Sequence, residues 1–284
     1  MSDTDQLIVY EPDHRIRMGF LFCCWSMVEN VVRSRELIWQ LFKRDFLAGS
    51  KQSILGLSWV LVSPLVGVAS WVLMNQAGVL HPGDLKVSYP LYVLFGTTIW
   101  GMFLGFYTSS AASLTSAGSL ILQVKFSHEA LVAQQMAQMA ITVVANLILL
   151  ALVLIVFGVS PHWTTVLFPL SLIPLFMLGT GIGMVVSVLA VVIHDATKTV
   201  ATMLGLLMFV TPVVYGPAIE NEWLQGLIWW NPLTYLVGGA RDIVLLGRID
   251  HLSSYAYSVL LTLVIFLASW RFFFLSEQKV AEKF

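Results

Sequence analysis

Aspartate, glutamate, lysine and arginine are missing from five long stretches of this chain: between Lys51 and Asp84, Lys86 and Lys125, Glu129 and Asp195, Lys198 and Glu220, and Asp250 and Arg271. A hydrocarbon layer ~30 Å thick is crossed by a helix of ~20 apolar residues, and each stretch is long enough for at least one crossing. Of the 284 residues, 58% are hydrophobic and 11% charged, against roughly 25% charged in an average soluble domain. So much hydrocarbon cannot stay in water on a monomer. The sequence predicts an all-α polytopic membrane protein.

Divided at turn signals, the stretches predict six spans: 54–80, 89–113, 130–157, 166–193, 199–215 and 255–274. Gly158-Val159-Ser160-Pro161 separates the third from the fourth. With the N-terminus inside, 12 of the 15 lysines and arginines fall on the inner side, and only Lys86, Arg241 and Arg248 fall outside. That asymmetry puts both termini in the cytoplasm. Two parts are expected, an N-terminal cytoplasmic segment 1–50 and a six-helix membrane domain 51–284.

The first part imitates a signal peptide without being one. Arg15 and Arg17 precede the apolar run 18–28, but no small-residue cleavage site follows, and the run is too short to span. Residues 36–48 read as an amphipathic helix. Leu37, Ile38, Trp39, Leu41, Phe42 and Phe46 fill one arc of the wheel, and Lys43, Arg44 and Glu36 lie mostly opposite. Such a helix lies in the membrane interface. Asp45 falls inside the apolar arc, where it has no obvious place.

Polar residues inside the spans point to a pore or to helix–helix hydrogen bonding. Gln134, Gln138, Thr142 and Asn146 recur every four residues on the third span, and Tyr92, Trp100, Phe103 and Tyr107 share one side of the second. Both rows are expected to line a substrate channel, the aromatic one because sugar rings have apolar C–H faces. The segment 217–247 is too apolar for a solvated loop and too interrupted for a span. Asn221, and then Asn231 with Pro232, are cap signals for two short interfacial or re-entrant helices. Trp223, Trp229, Trp230 and Tyr235 suit an interface belt.

Neither an energy source nor chemistry of its own is visible in the chain. No ionisable residue sits in the core of a span for ion coupling, and Gly-Lys, the end of a phosphate-cradling loop, never occurs. No catalytic residue and no metal-ligand set is expected.

Several segments resemble type-2 ABC exporter permeases. The run from Arg44-Asp45 through Ser53-Ile54-Leu55-Gly56-Leu57-Ser58-Trp59 to Ser63-Pro64-Leu65 is similar to that family's approach to its first span. Residues 120–126, His194-Asp195, Thr211-Pro212-Val213-Val214-Tyr215 and Trp230-Asn231-Pro232-Leu233-Thr234 resemble later family segments in the same order. The likeness is nearest to the polysaccharide branch, which exports O-antigen, capsule and teichoic acid. It implies a homodimeric permease in the cytoplasmic (inner) membrane, working with two separately encoded ATP-binding cassette subunits. ATP and magnesium would then sit on that partner, with no cofactor in this chain and no nucleic-acid partner. Lys43, Arg44, Asp45, Lys51, Lys125, Phe126, His128, Glu129, His194 and Asp195 would contact the ATPase. Trp223, Trp229, Trp230, Asn231, Pro232, Tyr235 and Arg241 would form an external gate, and a lipid-linked polysaccharide would be the cargo. Two other readings stay open: export of another amphiphile such as a lipid or drug, and an integral membrane enzyme acting on lipid-linked sugars.

Overall fold

The computed structural model describes residues 20–51, 58–83, 85–117, 127–219 and 221–281, with side chains for 25–47, 58–83, 85–117, 127–219 and 221–276. Two helices precede the spans, α1 (Phe20–Arg33) and α2 (Arg35–Lys51). Then follow α3 (Ser58–Gln76), α4 (Tyr89–Ala111), α5 (Glu129–Val156), α6 (Ile173–Ala190) and α7 (Ala196–Leu207). The chain ends with α8 (Glu222–Trp230), α9 (Pro232–Leu245) and α10 (Leu252–Ala281). Among the described residues, five segments are long and apolar enough to cross a membrane: α3, α4, α5, Trp163–Ala190 and Leu252–Ser276.

The fifth expected span takes a shorter form. At ~1.5 Å per residue α7 rises only ~18 Å, a 3-10 turn covers Met208–Val210, and the helix then stops. Pro212 is the reason. The residue before a proline is pushed out of the helical region, and Thr211 stands at φ −111°, ψ 130°. In the fourth span the helix is broken at Pro169 and Pro174. A 3-10 turn at Trp163–Leu167 and one α-helical turn at Phe168–Ser171 precede α6, with each proline in a first-turn position where its missing N–H is not needed.

α4 is the central pillar. About 72% of its most apolar window lies inside the protomer, against 6% for α3. It packs along α6 at backbone distance, made possible by Gly179 and Gly183. A Cβ on Gly179 would lie 2.8 Å from the Phe103 carbonyl oxygen, and one on Gly183 would lie 2.7 Å from that of Tyr107. Ser110 Oγ donates across the same contact to the Thr180 carbonyl at 3.1 Å. The opposite face of α6 receives α10, where a Cβ on Gly181 would be 3.3 Å from Phe266 Cα. Gly101 and Gly105 suggest a similar contact in the sequence, but Gly101 faces open space and Gly105 holds the Met139 methyl group.

Gly183→Ala forces α4 and α6 apart, and overpacking of this kind costs about 1–3 kcal/mol or more. Thermal unfolding in detergent is expected to show a lowered midpoint for Gly183→Ala and none for Gly101→Ala, whose new Cβ meets nothing within 4 Å.

Candidate functional site

Two polar constellations stand at opposite ends of the bundle. At the first, α2 is tied to the start of α5. Gln134 Nε2 donates to Asp45 Oδ2 at 3.1 Å, and Gln138 Nε2 donates to the Phe42 carbonyl at 3.2 Å. Ser34 and Ser127 hydroxyls meet at 3.3 Å beside them. Arg44 Nε donates to the other oxygen of Asp45 at 2.7 Å. The apolar arc of α2 thus carries one carboxylate because a spanning helix presents it with an amide donor.

Two members of the polar row, Gln134 and Gln138, thus hydrogen-bond another helix. Thr142 is half-buried further along α5, and Asn146 is buried, its Oδ1 without a hydrogen-bond partner among the described residues. Of the aromatic row, Tyr92, Trp100, Phe103 and Tyr107 are all buried within the chain, because α4 is surrounded by other helices. Trp100 packs on Phe103 with ring centroids 5.4 Å apart, and the Tyr107 hydroxyl donates to the Thr197 carbonyl at 2.9 Å.

Among the expected ATPase contacts, Lys43 and Arg44 are exposed on α2, and His194 and Asp195 are exposed in the turn between α6 and α7. His128 and Glu129 differ: both are buried where α1 covers the start of α5, which takes them off the surface. Lys125 and Phe126 lie outside the described residues, as does the side chain of Lys51.

The second constellation surrounds the chain that leaves α7. Arg241 is 5% exposed on α9, with its guanidinium carbon 3.7 Å from the centroid of the Tyr92 ring. Its Nη1 donates to the Pro212 carbonyl at 3.1 Å, and the Tyr92 hydroxyl reaches the carbonyls of Pro212 and Tyr215 at 3.1 and 2.8 Å. Asn231 closes the corner between α8 and α9. Its Oδ1 caps α9 at the Leu233 N–H, and its Nδ2 donates to Thr211 Oγ1 at 2.8 Å. Pro232 takes a first-turn position of α9, and Asn221 caps α8 at the Leu224 N–H. Both caps match the sequence reading.

Of the aromatics expected at the external gate, Trp229 and Tyr235 pack with His251, while Trp223 and Trp230 are exposed. Burial pushes the Asp242 carboxyl above the usual range, and Arg241 beside it pulls the other way. At the rim Lys86 Nζ donates to Asp250 at 2.6 Å, which holds that carboxyl below its ordinary value.

The sequence reading missed one surface altogether. Val68 is the one buried residue of α3, and α7 has none. Trp59, Leu65, Val66 and Leu73 on α3, and Met203, Leu206 and Phe209 at α7, all stand exposed. A spanning helix faces lipid, protein or pore with equally apolar residues, so only the packing reveals which face is uncovered.

Residues 36–245 match the family described as ABC-2 type transporter. The chain belongs to that family. The match begins in α2 and ends with α9, so it takes in both polar constellations of this ABC-2 chain. An O-antigen export system permease protein, RfbA of Myxococcus xanthus, is 23% identical over 219 residues, covering 76% of the ABC-2 chain and 83% of the relative. Two proteins of the same name from Klebsiella pneumoniae are 22% and 20% identical over 220 residues, with the same coverage.

Arg241→Met removes the charged donor from the Pro212 carbonyl and leaves that oxygen to Tyr92 alone. A loss of about 2 kcal/mol is expected for a buried hydrogen bond of this kind. Hydrogen exchange in detergent should show faster exchange in residues 211–216 and α9, with α5 and α6 unchanged.

Proposed function

We propose that this chain is the membrane subunit of an ATP-driven exporter and that its cargo is a lipid-linked polysaccharide. The observation that carries the reading is the uncovered strip of α3 and α7, on a chain whose family is that of ABC-2 transporters. Both helices touch α4, and both present apolar side chains that nothing among the described residues covers. A second copy of the chain facing this strip encloses a path between the two protomers, so the working unit is a homodimer. The curated relatives, which are named as O-antigen export permeases, support the glycan as cargo.

In this reading the bilayer is the cytoplasmic membrane, with both termini and the α1–α2 end in the cytoplasm. Two ATP-binding subunits dock there, on the exposed Lys43 and Arg44 face of α2 and the exposed His194-Asp195 turn. They hold the ATP and magnesium. Their motion reaches α5 through the bonds of Gln134 to Asp45 and of Gln138 to Phe42. At the other end α8 and α9 cap the path, with Arg241 as their internal anchor.

Purification of the tagged chain from its native membrane in mild detergent is expected to bring down an ATP-binding subunit in equal amount, with ATPase activity. Replacing Arg44 and Lys125 by glutamate should release that subunit while the chain keeps its thermal midpoint. A chain that emerges alone and without ATPase contradicts the exporter. Cells lacking the chain should accumulate lipid-linked glycan on the inner leaflet, and accumulation of a different amphiphile would reassign the cargo.

A further inference from the structure

The bundle contains a cavity of about 280 Å³ that the transport reading does not use. It lies between α1, α5, α6 and α10, with Met27, Val31, Val132, Met136, Met184 and Trp270 in its wall. Along α6 the wall runs from Phe176 to Met184 and along α10 from Phe266 to Phe273. Those eight- and seven-residue intervals make a slot ~11–12 Å long, parallel to the spans.

Its polar groups are few. Glu129 stands at the α1 end. Thr180 is occupied, its hydroxyl lying 3.3 Å from Met136 Sδ. Trp270 adds a buried Nε1–H that finds no acceptor among the described residues. The rest of the wall is methionine, phenylalanine, valine and alanine, which offers water no partner. Yet protein interiors seldom keep voids larger than a water molecule.

The dimensions fit a single hydrocarbon chain. An extended chain with ~1.5 Å carbon–carbon bonds advances ~1.3 Å per carbon, so the ~12 Å slot matches about nine methylene groups in line.

The lid of the slot also belongs to the membrane. α1 buries Met27 inward and turns Trp25, Val28 and Val32 outward, with Trp25 70% exposed. The Glu29–Arg33 pair at 2.6 Å lies on the same helix. A helix with apolar residues facing out and ion pairs beside them rests at the boundary between headgroups and acyl chains.

We propose that this slot binds one unbranched acyl chain of a membrane phospholipid, with α1 folded over it as a lid. The site is separate from the α3–α7 strip and does not depend on what the chain exports.

The test uses the full chain in nanodiscs of phosphatidylcholine with brominated acyl chains, compared with the unbrominated lipid. Bromine quenches indole fluorescence on contact, and the Trp270 contribution is the difference between the protein and its Trp270→Phe variant. Quenching of Trp270 is expected in the unsubstituted protein and is expected to be lost in Ala133→Phe, which fills the slot from α5. Val31→Phe fills it from the lid and makes the same comparison should Ala133→Phe fail to fold. No quenching in the unsubstituted protein, or equal quenching in a filled variant with an unchanged thermal midpoint, overturns the proposal. So does loss of quenching when a polyprenyl phosphate is added, which assigns the slot to a branched chain.

Discussion

A helix that ends within a membrane leaves carbonyl oxygens that lipid cannot hydrate, so irregular backbone at that depth survives only where protein supplies the donors. The fold is organised around one such place. Pro212 stops the α7 segment, and the carbonyls of Pro212 and Tyr215 are taken up by Tyr92 from α4 and Arg241 from α9. The approach is so close that a Cβ on Gly96 would collide with the Val213 carbonyl. Asn231 joins the same patch through Thr211 while capping α9. The short fifth segment, the central pillar and the two external helices are therefore one hydrogen-bonded unit. A buried arginine is costly unless its charge and donors are compensated. Here Tyr92 lends a π face, Pro212 an acceptor and Asp242 a carboxylate at 3.5 Å.

The other end of the bundle obeys the same rule with different side chains. Gln134 and Gln138 need partners at membrane depth, and α2 offers a carboxylate and a carbonyl. That exchange, with Leu41 buried in the same cluster as Leu131 and Val132, gives an interface helix a fixed position on a span. The exposed Lys43 and Arg44 then stand on a helix that cannot shift without disturbing α5. A subunit that pushes on α2 therefore acts on a spanning helix directly.

Much of this was legible in the sequence, for identifiable reasons. The charge-free runs mark the spans because burying a charge in hydrocarbon is so costly that the pattern is nearly free of exceptions. The corner helices were readable because Asn221, Asn231 and Pro232 act locally, through caps and a fixed φ. The truncation of the fifth span was hidden, since Thr211 and Pro212 look apolar enough for a hydropathy reading to pass through them. The roles of the polar and aromatic rows were hidden for another reason. A period of four identifies a face of a helix but not what that face meets, and Tyr107 at 0% exposure is indistinguishable by type from a tyrosine lining a pore. Asp45 looked misplaced until its partner on α5 was in view.

The claim on which the account of transport rests is that two copies meet through the strip of α3 and α7. Single cysteines at Val66 on α3, Met203 on α7 and Leu260 on α10, each exposed in the protomer, can be introduced after Cys23 and Cys24 are changed to serine. Oxidative cross-linking in native membranes measures which positions face their counterpart. The account predicts covalent dimers from Val66→Cys or Met203→Cys and none from Leu260→Cys. Dimers from Leu260→Cys alone, or from no position, would contradict it.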